Sequence, residues 1–362
     1  ADGTLGVLGG PTVLDWWVGA EDRWHTASTE AAVRQALADD DTTVETRLRV
    51  PGGDIVQRVV AVPDRGQGVA MVEIENATPV PVAIALTLEV RGAVRVFDDT
   101  VTADGSPVLR ASRSVARMLV AEDRARLEEG VVAGAARPPA EADPAWAGTH
   151  LAVIFPLPHT AVLRVAVPLV PVEALSAPAD LPPIEAVARG WAMHTERGAD
   201  FSLPDTRIAT VVAAARRHLL VGSTQPMGSA YWTGGVDPWV PAVAAVALDL
   251  WGHHIEAREL LLAAVGSDDL LAHASRGVAE AGSLLWAWAE TLERHADPVL
   301  EPALVPWIEQ AAIGLLGRRS GGLFRRRVDP VDEAWRAVGL AAAGSLLTRA
   351  GNETLGPDIV DA

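Results

Sequence analysis

Five carboxylates stand where loops run into apolar helical patterns: Asp237, Glu280, Asp329, Asp332 and Glu333. Carboxyl groups in such places suit acid–base work, one ionised and one kept protonated by its surroundings. Asp237 follows Gly234-Gly235-Val236 and precedes Pro238, at a loop mouth. There it would bind a ligand hydroxyl; the competing role is a helix N-cap that satisfies free backbone amides. Glu280 lies two residues before Gly282, at the start of an expected helix over 277–295. It would face a pocket, or stabilise the helix dipole from the first turn. Tryptophan is the second signal, with 12 Trp against one Tyr and four Phe. Trp faces stack on the apolar CH surface of sugar rings, so cleft Trp suits a saccharide site. Trp232 sits beside Tyr231 in a Gly-rich loop, and Trp239 and Trp286 lie at or near expected helix starts. These four are the candidate binding residues. Trp288 and Trp307 read instead as core residues.

Other groups point less far. Arg318, Arg319, Arg325, Arg326 and Arg327 could hold a phosphate or carboxylate, or form a solvated loop paired with acids. His253-His254-x-Glu256 lacks the His-Glu-x-x-His spacing of a zinc helix and reads as a helix-start turn. Asn76-Ala77-Thr78 is a formal glycosylation sequon, but in a tight turn. There is no Gly-x-Gly-x-x-Gly, Walker or Gly-x-Ser-x-Gly motif. The chain has no Cys and no Lys, which excludes thiolate sites, Schiff-base chemistry and a P-loop lysine. No metal and no cofactor is expected.

The elements that must position these groups change character once. Up to about residue 170 the apolar period is two. Val44, Thr46, Leu48 and Val50 alternate with Glu45, Arg47 and Arg49, and Val80, Val82, Ile84, Leu86, Leu88 and Val90 do the same. Further strands are expected near 54–62, 69–75, 93–97, 107–112, 115–121, 149–155 and 160–168, with turns at 51–53, 64–66 and 76–79. Residues 135–147 read as a surface loop. From about Ser176 the period is helical. A helix over 184–197 is expected in a linker, then one opened by Pro204-Asp205 with Ile208, Val211, Val212, Ala215 and Leu219 on one stripe. Five more fall over 238–251, 253–265, 277–295, 299–317 and 331–350, with Gly252, Gly266 and Gly351 as stops. The 238–251 helix is apolar nearly all round and is expected inside. This gives an α+β multidomain chain: an antiparallel β-sandwich over 1–175, a linker with a helix over 176–203, and an α-helical hairpin domain over 204–362.

The chain has 362 residues, enough for two domains with their own cores. Its 30 Lys+Arg against 47 Asp+Glu give a net charge of -17, which argues against nucleic acid and anionic membranes as partners. No apolar run is long enough for a transmembrane helix and no signal peptide is visible, so a cytoplasmic location is expected.

Several segments resemble the helical domain of glucoamylase-like six-hairpin glycosidases. They are Leu203-Pro204-Asp205, the run Ala247-Leu248-Asp249-Leu250-Trp251-Gly252-His253-His254-Ile255-Glu256-Ala257, and Ala281-Gly282-Ser283-Leu284-Leu285-Trp286-Ala287-Trp288-Ala289-Glu290 with Ala296-Asp297 after it. Glu333-Ala334-Trp335-Arg336-Ala337-Val338-Gly339-Leu340 matches a segment after the loop holding that family's general acid. The resemblance implies an N-terminal supersandwich and a C-terminal α/α toroid, covers 190–350 by motif, and covers the strand half by architecture alone. Two departures stand out. Val236-Asp237 replaces the family's Arg-Asp pair, and the acid-loop stretch from Gly317 to Pro330 contains no Glu. About 157 residues follow Asp205, room for about six helices, hence a partial toroid.

The resemblance implies a carbohydrate-active hydrolase acting on or binding α-glucan-like oligosaccharides, with Glu280 and Asp237 the acid–base candidates. The alternative is a saccharide-binding or structural relative without catalysis. Weak or absent glycosidase activity is expected from this chain. The last helix carries Trp335, Val338, Leu340, Ala341, Leu346 and Leu347 around more than one face. That surface is expected to be covered, by the strand half or by a second copy in a homodimer.

Overall fold

The computed structural model describes residues 2–6, 13–38, 42–90, 92–139, 146–147, 150–224, 237, 239–265, 277–296, 298, 300–317, 329–352, 356 and 359. The chain divides into two compact units, Ala1–Met193 and His194–Ala362. Among the described residues it is mixed α+β, with two antiparallel sheets in the first unit and helices in the second.

The strands of the first unit are β1 (Leu5–Gly6), β2 (Val13–Gly19), β3 (Trp24–Thr26), β4 (Val33–Leu37), β5 (Val44–Val50), β6 (Gly53–Asp64), β7 (Gln67–Asn76) and β8 (Val82–Glu89). They continue as β9 (Ala93–Phe97), β10 (Thr100–Ala103), β11 (Ser106–Ala111), β12 (Arg117–Ala121), β13 (Trp146–Ala147), β14 (His150–Leu157) and β15 (Val162–Pro168). One sheet has the order β1-β2-β8-β14-β12, with β3 beside β2, and the other β13-β9-β10-β11-β15-β7-β6-β5-β4. Inward residues of both sheets share one core, including Trp16, Leu86 and Phe155 from the first and Leu48, Ile55 and Val165 from the second.

The expected alternation holds on β5 from Thr46 on, where Thr46, Leu48 and Val50 are buried and Arg47 and Arg49 exposed, while Val44, expected on the same face, is exposed at the strand start. The β6–β7 turn places Arg65 at φ 51° and Gly66 at φ 81°, two left-handed residues whose twist matches the flanking strands. Asn76 is fully buried and its amide donates to Val80 O at 2.8 Å and Leu157 O at 3.1 Å. It holds the turn together, so the sequon is structural.

Alternation fails on β2 and β8, because both faces of that sheet are covered. A helix absent from the sequence reading, α1 (Arg124–Val132), lies on the outer face, where Leu127 and Val131 pack on Trp17, Ala85 and Ala152. Its pattern is weak, with only those two positions buried. Asp15, itself buried, accepts from Arg124 Nη2 at 2.6 Å and from Trp17 Nε1 at 3.3 Å, tying the helix to the sheet. The segment 135–147, expected as a surface loop, instead buries Ala136, bridges Arg137 to Met118 and pairs β13 with β9.

The outer face of the larger sheet is covered by Leu175, Leu181 and Ile184, which pack on Val60, Val62, Val69 and Met71. Asp64 fastens this segment. It accepts from Ser176 N at 2.9 Å and from Ser176 Oγ at 2.7 Å. Burial pushes the Asp64 carboxyl up, but the two Ser176 bonds outweigh it and hold its pKa below 3.8.

The second unit follows α2 (Ile184–Glu196), within which the division between units falls. Its helices are α3 (Thr206–Ser223), α4 (Val240–Leu250), α5 (His254–Val265), α6 (Val278–Arg294), α7 (Leu300–Gly317) and α8 (Pro330–Arg349). Gly252 at φ 87° and Gly351 at φ 85° end helices as expected; Gly266 lies outside the described residues. Asp205 is the N-cap of α3, accepting from Arg207 N at 2.9 Å, so Pro204 precedes the cap and is not in the first turn. The stripe read on α3 is rotated: Ile208 and Val211 are exposed, while Leu220 is buried. On α8, Leu340, Leu346 and Leu347 are buried, and Val338 and Ala341 exposed. No helix among the described residues is long and apolar enough to cross a membrane.

The tightest packing in this unit joins α6 and α8. A Cβ on Gly282 would fall 2.1 Å from the Trp335 carbonyl oxygen, and one on Gly339 would fall 2.4 Å from Gly282 Cα. These are backbone atoms, so no rotamer change relieves the clash. Gly282→Ala or Gly339→Ala is expected to lower stability by about 1–3 kcal/mol through overpacking. Gly314→Ala, inside α7 with open space around it, is expected to raise it by about 0.5–1 kcal/mol. Thermal unfolding of the three variants checks the contrast.

For Asp64 the folded-state pKa lies below the unfolded one, so its contribution is present above pH 3.8 and lost as pH falls through the folded value. Asp64→Asn is expected to cost about 1–3 kcal/mol at neutral pH. Unfolding in denaturant across pH 2–7 should show the gap between wild type and variant closing on the acid side.

Candidate functional site

The directions of three helices make the site. Ala279 at the start of α6 donates its N–H to Asp332 Oδ1 at the start of α8, at 3.3 Å. At the other end, Arg294 closes α6 and donates to Asp249 Oδ2 near the end of α4, at 2.8 Å. So α4, α6 and α8 run in one direction, with their N-termini at one end, where partial positive charge gathers.

Three tryptophans meet there. Trp335, one turn into α8, lies 5.9 Å from Trp239 just before α4 and 5.6 Å from Trp286 in α6, centroid to centroid. The rings are tilted by 30° and 56°, and each is half-buried. Tilted contacts at this spacing suit the aromatic quadrupole, and half-buried faces can receive an apolar ring. The close α6–α8 approach fixes the middle ring, because the Trp335 carbonyl rests on Gly282.

The carboxylates around this end are engaged in holding the helices. Asp329 caps α8, accepting from Val331 N at 2.9 Å. Asp332 accepts from the first turn of α6, as above. Glu333 accepts from Arg336 Nη2 at 2.6 Å and Nε at 3.0 Å. Glu280 lies in the first turn of α6, three residues after the Gly277 cap, and its Oε2 falls 3.5 Å from where a Gly277 Cβ would be. That is the position from which a carboxylate reaches back over a helix start.

Of the sequence candidates, the structure brings Trp239 and Trp286 together. Trp286 lies in the third turn of α6, further inside than expected. Glu280 shares the helix with Trp286. Asp237 is exposed, and its backbone carbonyl accepts from Val240 N at 3.0 Å. Tyr231, Trp232 and the five-arginine cluster over 318–327 lie outside the described residues. Trp335 was not among the binding candidates, although it joins the other two rings. The signal for it was a Trp two residues after Glu333, in the second turn of a helix that opens with two acids.

His253 and His254 do form a helix-start turn. His253 is buried 5.8 Å from the His194 ring, and burial pushes its pKa below 6.5, against the pull of Glu256. One group among the described residues has the donors for a metal: Asp249, His254 and His295, at the opposite end of α4 and α6.

No family model and no curated protein matches this sequence. A solved structure of a bacterial glucoamylase complexed with acarbose is similar to it, at a TM-score of 0.65 and 10% identity. The match covers 96% of this chain and 60% of that one, so the chain spans less than two thirds of the glucoamylase's length. The likeness is one of fold. A polysaccharide lyase also aligns over 96% of this chain and 66% of its own, at 8% identity and a TM-score of 0.26, too low to carry an argument.

Proposed function

We propose that this chain is a carbohydrate-active protein of the six-hairpin glycosidase type that binds α-glucan-like oligosaccharides. In this reading 1–175 form a supersandwich-like β-sandwich, 176–203 a linker with a helix, and 204–362 a partial α/α toroid. The observation that carries it is the Trp239–Trp335–Trp286 cluster at the shared N-terminal end of three co-directed helices. Sugar rings would stack on these faces through their CH surfaces. The glucoamylase likeness supports the reading at the level of fold, and acarbose is the ligand of that protein.

Binding is favoured over hydrolysis because Asp329, Asp332 and Glu333 hold helix termini and an arginine, and Asp237 lies exposed before α4. Glycoside hydrolysis needs two carboxyl groups across the scissile bond, one with a raised pKa. The position of Glu280, at the same end of α6, keeps hydrolysis as the second reading, with Glu280 and Asp237 as its acid–base pair.

Maltooligosaccharides titrated into the protein are expected to bind, and Trp335→Ala to weaken binding about tenfold, roughly 1.4 kcal/mol. Trp335→Phe should keep most of the affinity. Little or no glucose is expected to be released. Undetectable binding, or an unchanged affinity in Trp335→Ala, would sink the proposal. Steady glucose release abolished by Glu280→Gln would establish the hydrolase reading in its place.

A further inference from the structure

At the C-terminal ends of α4 and α6, about 15 Å along the helices from the tryptophans, Asp249 is buried and meets two imidazoles. Its Oδ1 lies 2.8 Å from His254 Nδ1 and 3.5 Å from His295 Nε2. The two rings are 4.0 Å apart, tilted by 56°. The three donor atoms all lie within 4.8 Å of one another. Ligands of a tetrahedral zinc ion, each about 2.0–2.1 Å from it, are roughly 3.4 Å apart, so the observed spacing needs only a small outward shift of His254.

The surroundings match a metal site in two ways. Arg294 Nε donates to Asp249 Oδ2 at 2.8 Å and is itself held by Glu290 at 2.8 Å. That outer bond orients the carboxylate and leaves Oδ1 toward the imidazoles. Finally, the three residues line a cavity of about 440 Å³ that Trp288 and Thr291 also line. Both are more than nine-tenths buried, and Trp288 Nε1 and Thr291 Oγ1 have no hydrogen-bond partner among the described residues. A buried indole N–H is a donor only, so it calls for an acceptor brought in from outside.

We propose that Asp249, His254 and His295 form a three-ligand site for a divalent transition metal of the zinc type. Its fourth position is left to water or an anion that accepts from Trp288 Nε1 and Thr291 Oγ1. Two imidazoles and one carboxylate are a borderline-soft set, suited to Zn²⁺ and poorly suited to Mg²⁺, which prefers oxygen ligands. The ligands come from three helix ends: Asp249 from the last turn of α4, His254 from the start of α5 and His295 from the residue that caps α6. The ion would therefore clip these helix ends together. The site does not depend on saccharide binding at the other end.

The test uses the full chain after dialysis against chelator, titrated with Zn²⁺ and with Mg²⁺ in one buffer. One equivalent of Zn²⁺ is expected, with a rise in Tm. His254→Asn and His295→Asn each change a half-exposed side chain, so both should fold, with Tm in chelator close to wild type. Each is expected to bind Zn²⁺ at least tenfold more weakly and to lose the Tm rise. No Zn²⁺ uptake by the wild type, equal affinity for Mg²⁺, or undiminished Zn²⁺ affinity in both histidine variants would overturn the proposal.

Discussion

The second unit depends on one steric constraint: α6 and α8 touch backbone to backbone. Gly282 and Gly339 face each other with no room for a Cβ on either. Each helix therefore carries a glycine in its interior, which costs about 0.5–1 kcal/mol relative to alanine. Close packing between two long helices offsets that cost. The contact also sets the register along the axes. It seats the Trp335 carbonyl on Gly282, and it brings Asp332 to the first turn of α6. The aromatic cluster and the capping of α6 both follow from it.

The same register fixes the opposite end. With α4 and α6 running together, Asp249 and Arg294 arrive at one place, and His295 follows from the residue where α6 stops. A fully buried carboxylate is tolerated there because each oxygen has a partner, Arg294 on one side and imidazole on the other. The unit thus has an aromatic end, where helix N-termini gather, and an imidazole–carboxylate end, where C-termini gather.

The first unit shows the same economy of polar groups. Asp15, Asp64 and Asn76 are buried, and each is fully engaged in fastening a covering segment or a turn. Asp15 holds α1 on one sheet and Asp64 holds the chain at Ser176 on the other. Covering the outer faces explains why β2 and β8 carry apolar residues on both sides.

How much was legible in the sequence depended on the range of the interaction. Period and punctuation located β5 to β9, β11, β12, β14, β15 and every helix from α2 to α8 to within a few residues, because alternation, apolar stripes and glycine stops are local. The segment Val13–Gly19 escaped, since a strand buried on both faces has no alternation to read. Helix α1 escaped because it shows only two buried positions. In the aromatic cluster, Trp239 stands just before α4 as its place near a helix start suggested, while Trp286 lies deeper, in the third turn of α6. Trp335 became their partner only through the Gly282–Gly339 contact, across 57 residues of chain. The group of Asp249, His254 and His295 had no sequence signature at all, because its third member lies 41 residues beyond the second. Local order was written in the sequence. Which side chains share a site was decided by helix direction and register, and those are set by packing between segments far apart in the chain.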